Sequence, residues 1–203
     1  MPIQIRPYQP EFLLDLYRIC LETGDSGRDA SPQFTDPELL GAFYAAPYAI
    51  LEPDLTFVLQ DEAGACGYIL GTRDSLAFAD WMNREWLPTW RVKHPLTVQA
   101  HARPETLSYQ ERIIGLIHHG YQRDDCVPEY PAHLHIDLNA RAQGQGWGRA
   151  LMNTFLERLR SLEVPGVHLG VGKSNPGAIQ FYERLGFERL EEDEHGLVMG
   201  MKL

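Results

Sequence analysis

The 203-residue chain is poor in cysteine. Cys20, Cys66 and Cys126 stand far apart and form no C-x-x-C pair. That spacing signals neither a disulfide framework nor a zinc knuckle, and no metal site is expected. Long apolar runs are also missing. Nothing approaches the roughly 18–20 residues that cross a bilayer, and the opening MPIQIRPYQP has no basic-then-apolar order of a secretory leader. A cytoplasmic protein with no membrane partner is the expectation. Positive charge is scarce as well: the formal net charge is -10, with only three lysines beside fifteen arginines. A nucleic-acid binder needs a basic face to neutralise phosphates, so that class is set aside. The preference for arginine points to a GC-rich bacterial genome. Internal repeats and low-complexity tracts are absent, and the length suits one domain with a sizeable insertion.

Periodicity divides the rest. Ile3 and Ile5 alternate with polar residues as in a short strand. Residues 11–23 carry Leu13, Leu14, Leu16, Tyr17 and Cys20 at helical spacing, with Gly24 as a stop. Asp36-Pro37 reads as the cap and first turn of a second helix through Leu39, Leu40, Phe43 and Tyr44. Residues 55–60 and 66–72 are two strands joined by a hairpin at 61–64. Residues 73–131 form a helical insertion that holds Trp81, Trp86 and Trp90, with a helix predicted at 104–118. Beyond it come a strand at 132–138, a helix at 147–162, a strand at 167–171, a helix at 175–185 and a last strand at 195–203. Strands alternating with helices at these distances predict an α/β (α+β) fold, a sheet with helices packed on it.

The chemistry concentrates in HLHIDLNARAQGQGWGRALMNTFL, residues 133–156. Gly144, Gly146 and Gly148 lie between a strand end and a helix start. Glycine tolerates positive φ and lets another group approach the backbone. A helix start offers unpaired N–H groups and the positive end of the dipole. Together they make a cradle for a phosphate or pyrophosphate. Gly148 is followed by Arg149 and Ala150, which excludes a Walker loop. The G-x-G-x-G spacing, arriving late in the chain, excludes the dinucleotide fingerprint.

Gln143-Gly144-Gln145-Gly146-Trp147-Gly148 resembles the Q/R-x-x-G-x-G/A signature of the GNAT superfamily of N-acetyltransferases. Downstream, residues 175–187, NPGAIQFYERLGF, resemble that family's N-x-x-A-x-x-F-Y-x-x-x-G-F segment. Residues 53–95 are similar to the acetyltransferase-like C-terminal domain of animal O-GlcNAcase and its bacterial stand-alone counterparts. The resemblance implies a single GNAT domain over 1–203: a mixed sheet of about seven strands with helices on both faces, a helical insertion before the fourth strand, and a cofactor-binding core at 132–187. It implies acetyl-CoA as co-substrate. The pyrophosphate would lie on the backbone N–H groups of residues 144–149, Gly144 to Arg149, with Gln143, Gln145, Gly146, Trp147 and Gly148 among the cofactor-binding residues and Arg141 or Arg149 adding charge. The pantetheine arm would pair with Ile136 and Leu138. Asn175 would reach the pantetheine or the acetyl end, and Ala178, Phe181 and Tyr182 would also bind the cofactor.

Acetyl transfer to an amine needs a base for the ammonium proton and an acid for the leaving thiolate. The resemblance assigns the acid to Tyr182. For the base, His133, His135 and Asp137 alternate with Leu134, Ile136 and Leu138, so the polar three share one face. His135 and Asp137 are the candidates, and each also reads as a hydrogen-bonded structural group. His118 and His119, at a helix end, are assigned no chemistry. The tryptophans of the insertion, with Asp74, Asp80, Asp124, Asp125 and Glu129, are the expected wall of an acceptor pocket for a cationic or sugar-like molecule. The expected function is an acetyl-CoA-dependent N-acetyltransferase of unknown amine acceptor, as monomer or homodimer. The alternative is a catalytically weak or inactive module that binds acyl-CoA or a partner protein.

Overall fold

The computed structural model describes residues 2–96, 107–122, 126–194 and 196–203. Asp124, Asp125, Pro104 at the predicted helix start and His195 at the predicted strand start lie outside the described residues. Seven strands form one sheet: β1 Gln4–Pro7, β2 Thr56–Asp61, β3 Gly64–Thr72, β4 Ala132–Leu138, β5 Gly166–Gly172, β6 Glu188–Glu192 and β7 Gly196–Lys202, in the order β1-β2-β3-β4-β5-β7-β6. β4 and β5 are parallel; every other neighbouring pair is antiparallel.

Helices cover the sheet from both sides. On one side lie α1 Leu13–Thr23, α2 Leu39–Tyr44, α3 Ala46–Leu51, α4 Ser75–Trp81, α5 Leu87–Lys93 and α6 Tyr109–His119; their core includes Leu16, Leu40, Tyr48, Phe78 and Ile117 against Tyr68 and Leu70 of β3. On the other lie α7 Trp147–Ser161 and α8 Pro176–Leu185, with Leu151, Phe155 and Leu159 packed against Leu59, Ile69 and Leu134. The two cores follow from strand alternation: Ile69 and its neighbours Tyr68 and Leu70 face opposite layers. Gly71 of β3 makes room at the centre. A Cβ there would stand 2.6 Å from the Phe155 ring and closer still to the His133 carbonyl.

The expected elements hold at their centres and shift at their ends. The Asp36 side chain accepts from the Glu38 N–H at 2.9 Å, one turn ahead of α2, and α2 ends at Tyr44 with Ala45 as its cap, after which α3 starts at Ala46 with Pro47 in its first turn. Asp74 caps α4 by accepting from the N–H groups of Leu76 and Ala77. Ser108 and Glu111 form a reciprocal capping box that sets the start of α6. A π-helical turn, Met82–Trp86, joins α4 to α5. The strand missing from the sequence reading is β6. Its ERLEE is mostly exposed and carries charge on both faces. Such a strand has no apolar alternation to detect, and its charges suit a sheet edge that must not recruit another chain.

Gly71→Ala should lower the free energy of unfolding by about 1–3 kcal/mol through overpacking between β3, β4 and α7. An unchanged urea midpoint would show that the strands adjust around the methyl group.

Candidate functional site

β4 and β5 pair only through Ala132 with Val167 and His133 with His168. From Leu134 to Leu138, β4 continues its ladder with β3 alone, as Gly67–Leu138 and Gly71–Leu134 show. The sheet therefore opens at its centre. A cleft of about 800 Å³ enters the opening, lined by Ile136, Asp137 and Leu138 of β4, Gln143, Gly144, Gly146, Gly148 and Arg149 of the following turn, and Asn175, Ala178, Phe181 and Tyr182 of α8. A pocket of about 240 Å³ continues inward past Asp137 and Tyr182 to His135, Tyr44 and Tyr109.

The turn has the predicted backbone. Gly144 and Gly146 have φ of 71° and 86°, a region that disfavours side chains, and Gly146 stands as the N-cap of α7 with no side-chain cap. The first bond into the helix runs from the Ala150 N–H to Gly146 O, so the N–H groups of Trp147, Gly148 and Arg149 precede the intrahelical ladder. A Cβ on Gly144 or Gly146 would meet nothing within 4 Å, so the space beside the turn is open. Gly148 lies beside α8: a Cβ there would stand 3.4 Å from the Phe181 ring, in ordinary contact, and both residues line the cleft. Gln143 donates to Leu138 O and Gln145 to Arg141 O, each at 2.7 Å, tying the turn to the strand end.

Asn175 caps α8, its Oδ1 accepting from the Ala178 N–H at 3.1 Å, while the residue still borders the cleft. Tyr182 is 8% exposed and borders both the cleft and the inner pocket. Burial, and then the nearby Asp137, raise its pKa above the ordinary tyrosine value. The phenol therefore keeps its proton at neutral pH.

His133, His135 and Asp137 all face the α1–α6 layer, as alternation requires. Asp137 accepts from the Tyr68 hydroxyl at 2.6 Å. Burial raises its pKa, and hydrogen bonds from Tyr68 and Thr23 offset part of the rise. His133 is locked in place. Ser75 Oγ donates to Pro131 O, which leaves His133 Nδ1 to donate to Ser75 Oγ at 2.7 Å. Its Nε2 then faces the Tyr48 and Tyr121 hydroxyls, both at 2.9 Å. The Tyr48 hydroxyl also lies 3.0 Å from His135 Nε2. Burial, and then His135 and His168, hold His133 well below the usual histidine range. Burial, with His168 behind it, pushes His135 down to about 4.

Not every predicted residue reaches the cleft. Gln145 and Trp147 stand outside its lining, and Trp147 packs into the α7–α8 core instead. Arg141 is held at 2.9 Å by Asp61 at the end of β2, whereas Arg149 borders the cleft and makes no ion pair among the described residues. The tryptophan expectation is corrected. Trp81 stacks on Trp86 at 5.9 Å, Trp86 leans on Trp90 at 6.3 Å, and the Trp86 Nε1 donates to Ala42 O at 2.7 Å. All three pack against the α1–α6 core and none lines the inner pocket, because α5 docks on α6 and Trp86 bonds to α2 instead of covering the strand opening. From the insertion, Tyr109 alone borders that pocket among the described residues. The wall comes instead from the end of α1 and the turn after it, including Cys20, Thr23, Gly24, Ser26 and Gly27, with Arg28 at the outer cleft. In the sequence their one local signal is the GDSG turn after the first helix, which reads as an ordinary stop.

Residues 75–187 match the model of the acetyltransferase (GNAT) family. Protein O-GlcNAcase of Rattus norvegicus is 28% identical over 190 residues, covering 90% of this chain and 20% of the rat protein. The chain thus spans about a fifth of that relative's length. The crystal structure of SsHAT superposes with a TM-score of 0.87 at 40% identity over 98% of both chains. YncA of Salmonella typhimurium, solved with its cofactor acetyl-CoA, shares the fold with a TM-score of 0.57 at 11% identity, over 100% of this chain and 95% of that one.

The buried histidines make stability acid-sensitive. In the unfolded chain a histidine binds its proton below about pH 6.5, but His135 in the fold resists protonation down to about 4. The unfolded state then holds more protons, so stability falls as the pH drops through that window. For His135 the loss is about 3 kcal/mol. Asp137, with its pKa raised, works in the opposite sense. His135→Gln should therefore flatten the fall in urea midpoint between pH 7 and pH 4, and an equal slope in both proteins would refute the assignment.

Proposed function

The chain belongs to the acetyltransferase (GNAT) family, and on that premise we propose that it transfers the acetyl group of acetyl-CoA to a primary amine. The observation that carries the reading is one continuous opening in the sheet. It starts at the bare N-terminus of α7, passes the unpaired edge of β4, and ends at a pocket holding a protonated phenol beside a carboxyl group.

The residues present fit the cofactor. A pyrophosphate suits the N–H groups at the start of α7, where positive-φ glycines leave open space and the dipole favours an anion. Arg149 supplies a cation there. The β4 edge at Ile136 and Leu138, left unladdered by β5, suits the amide-bearing pantetheine arm as an added strand. When bound, acetyl-CoA supplies the acetyl group as an activated thioester.

The chain's own groups would do the rest. Asp137 attracts an ammonium into the pocket and takes its proton; burial makes its carboxylate more basic than usual. Tyr68 orients that carboxylate. Tyr182 holds a proton at the junction of cleft and pocket, ready for a leaving thiolate. His135 stands beyond Asp137 with its Nε2 anchored on Tyr48, a second proton acceptor that burial makes less basic than an ordinary histidine. The hydrogen bonds that hold Asp137 and His135 favour one other reading, in which both are structural and the chain binds acyl-CoA without turning it over.

Calorimetry with acetyl-CoA, followed by a CoA-release screen over amines, separates the two. Binding with turnover supports the transferase; binding with no turnover on any amine supports the module. Arg149→Glu should weaken acetyl-CoA binding about 10-fold or more, the scale of a charge-assisted hydrogen bond. Unaltered affinity would move the phosphates elsewhere. Tyr182→Phe should lower kcat about 100-fold with acetyl-CoA affinity within a few-fold of the parent. A full kcat in that variant would leave Tyr182 a packing residue.

A further inference from the structure

β5 is a central strand whose two faces differ. Its sequence is GVHLGVG: Val167, Leu169 and Val171 enter the α7–α8 core, while Gly166, His168, Gly170 and Gly172 hold the opposite face. The register extends this bare surface sideways. Gly170 stands opposite Val198 and Gly172 opposite Gly196, with Glu191 of β6 beyond Val198. Gly170 and Gly172 are exposed in mid-sheet, because α1 and α3 pack on β3 and β4.

Gly170 is the junction. A Cβ there would meet no heavy atom within 4 Å. It borders the inner pocket beside Asp137 and also a trough of about 440 Å³ floored by Gly170, Gly172, Gly196 and Val198. With no side chain at position 170, pocket and trough share this rim. The trough's far rim carries Glu191, Glu192 and Asp193. Lys173 pairs with Glu192 at 2.7 Å, whereas Glu191 makes no ion pair among the described residues.

We propose that this trough is the outer half of the acceptor site, built for an elongated amine that carries a second positive charge. The reacting amine would sit beside Asp137 and the distal cation over Glu191. The inference rests on the transferase reading above. A second copy of this chain suits the trough poorly, since its net charge of -10 would face the same acidic rim. A linear oligoamine and a short basic peptide share the required chemistry.

The test compares CoA release with n-butylamine, spermidine and a Lys-Gly-Arg peptide, in the parent, Gly170→Val and Glu191→Gln proteins. The parent should favour spermidine or the peptide over n-butylamine, and the faster of the two identifies the source. Glu191→Gln should shrink that preference about 2- to 5-fold, as loss of an exposed ion pair does, and added salt should shrink it in the parent too. Gly170→Val has room to fold and should keep acetyl-CoA affinity within twofold while lowering kcat/KM for the dications about 10-fold. Equal preference in all three proteins overturns the proposal. If no amine is acetylated, the transferase reading fails by itself. Calorimetry of spermidine with the acetyl-CoA-saturated protein then decides: binding weakened by Glu191→Gln supports the trough, and binding absent or unaltered overturns it.

Discussion

A β-sheet satisfies its backbone by pairing neighbours, and a break in the middle of one leaves polar groups without a ladder. Here the break lies between β4 and β5, which part after two residue pairs. The rest of the architecture accommodates that opening. β4 remains anchored to β3 along six residue pairs, and β5 to β7 along seven, so each half of the sheet is rigid while the seam stays open. The α7 N-terminus and the cap of α8 meet at the mouth of the seam and set their own unpaired N–H groups beside it. An extended, amide-bearing anionic ligand answers both deficits together.

Burial turns the inner seam into a chemical environment. The same low polarity that keeps Tyr182 protonated raises Asp137 and suppresses His133 and His135. One desolvation effect therefore separates a proton donor from acceptors across a single pocket. The hydrogen bonds decide which groups can move. His133 is bonded at both ring nitrogens, to Ser75 on one side and the tyrosine hydroxyls on the other, and serves the α3–β4 packing. Asp137 accepts from the Tyr68 hydroxyl and borders both the cleft and the pocket.

Glycine performs three different tasks around this seam. Gly144 and Gly146 are needed for their positive φ. Gly71 is needed because the His133 carbonyl and the Phe155 ring stand where a Cβ would project, and Gly148 borders the open cleft beside Phe181. Gly170 is in ordinary strand conformation with empty space above it, so neither backbone strain nor packing accounts for its bareness. Open surface does.

The local sequence determined whatever depends on near neighbours. The glycine spacing before α7, the asparagine that caps α8, and the alternation that sets His133, His135 and Asp137 on one face are short-range patterns, and they are legible residue by residue. The family resemblance added the order of these parts. What only the tertiary structure decided are relations between distant segments. Trp81, Trp86 and Trp90 look alike in sequence whether they wall a pocket or fill a core, and packing of their segment against α6 and, through Trp86, against α2 made them core. The turn after α1 looks like a plain helix stop until the fold brings Ser26 and Gly27 to the seam. β6 has no apolar period of its own and exists because β7 offers it an edge. The glycines of β5 acquire meaning through register, which places them between Asp137 and Glu191, on opposite sides of one strand and far apart along the chain.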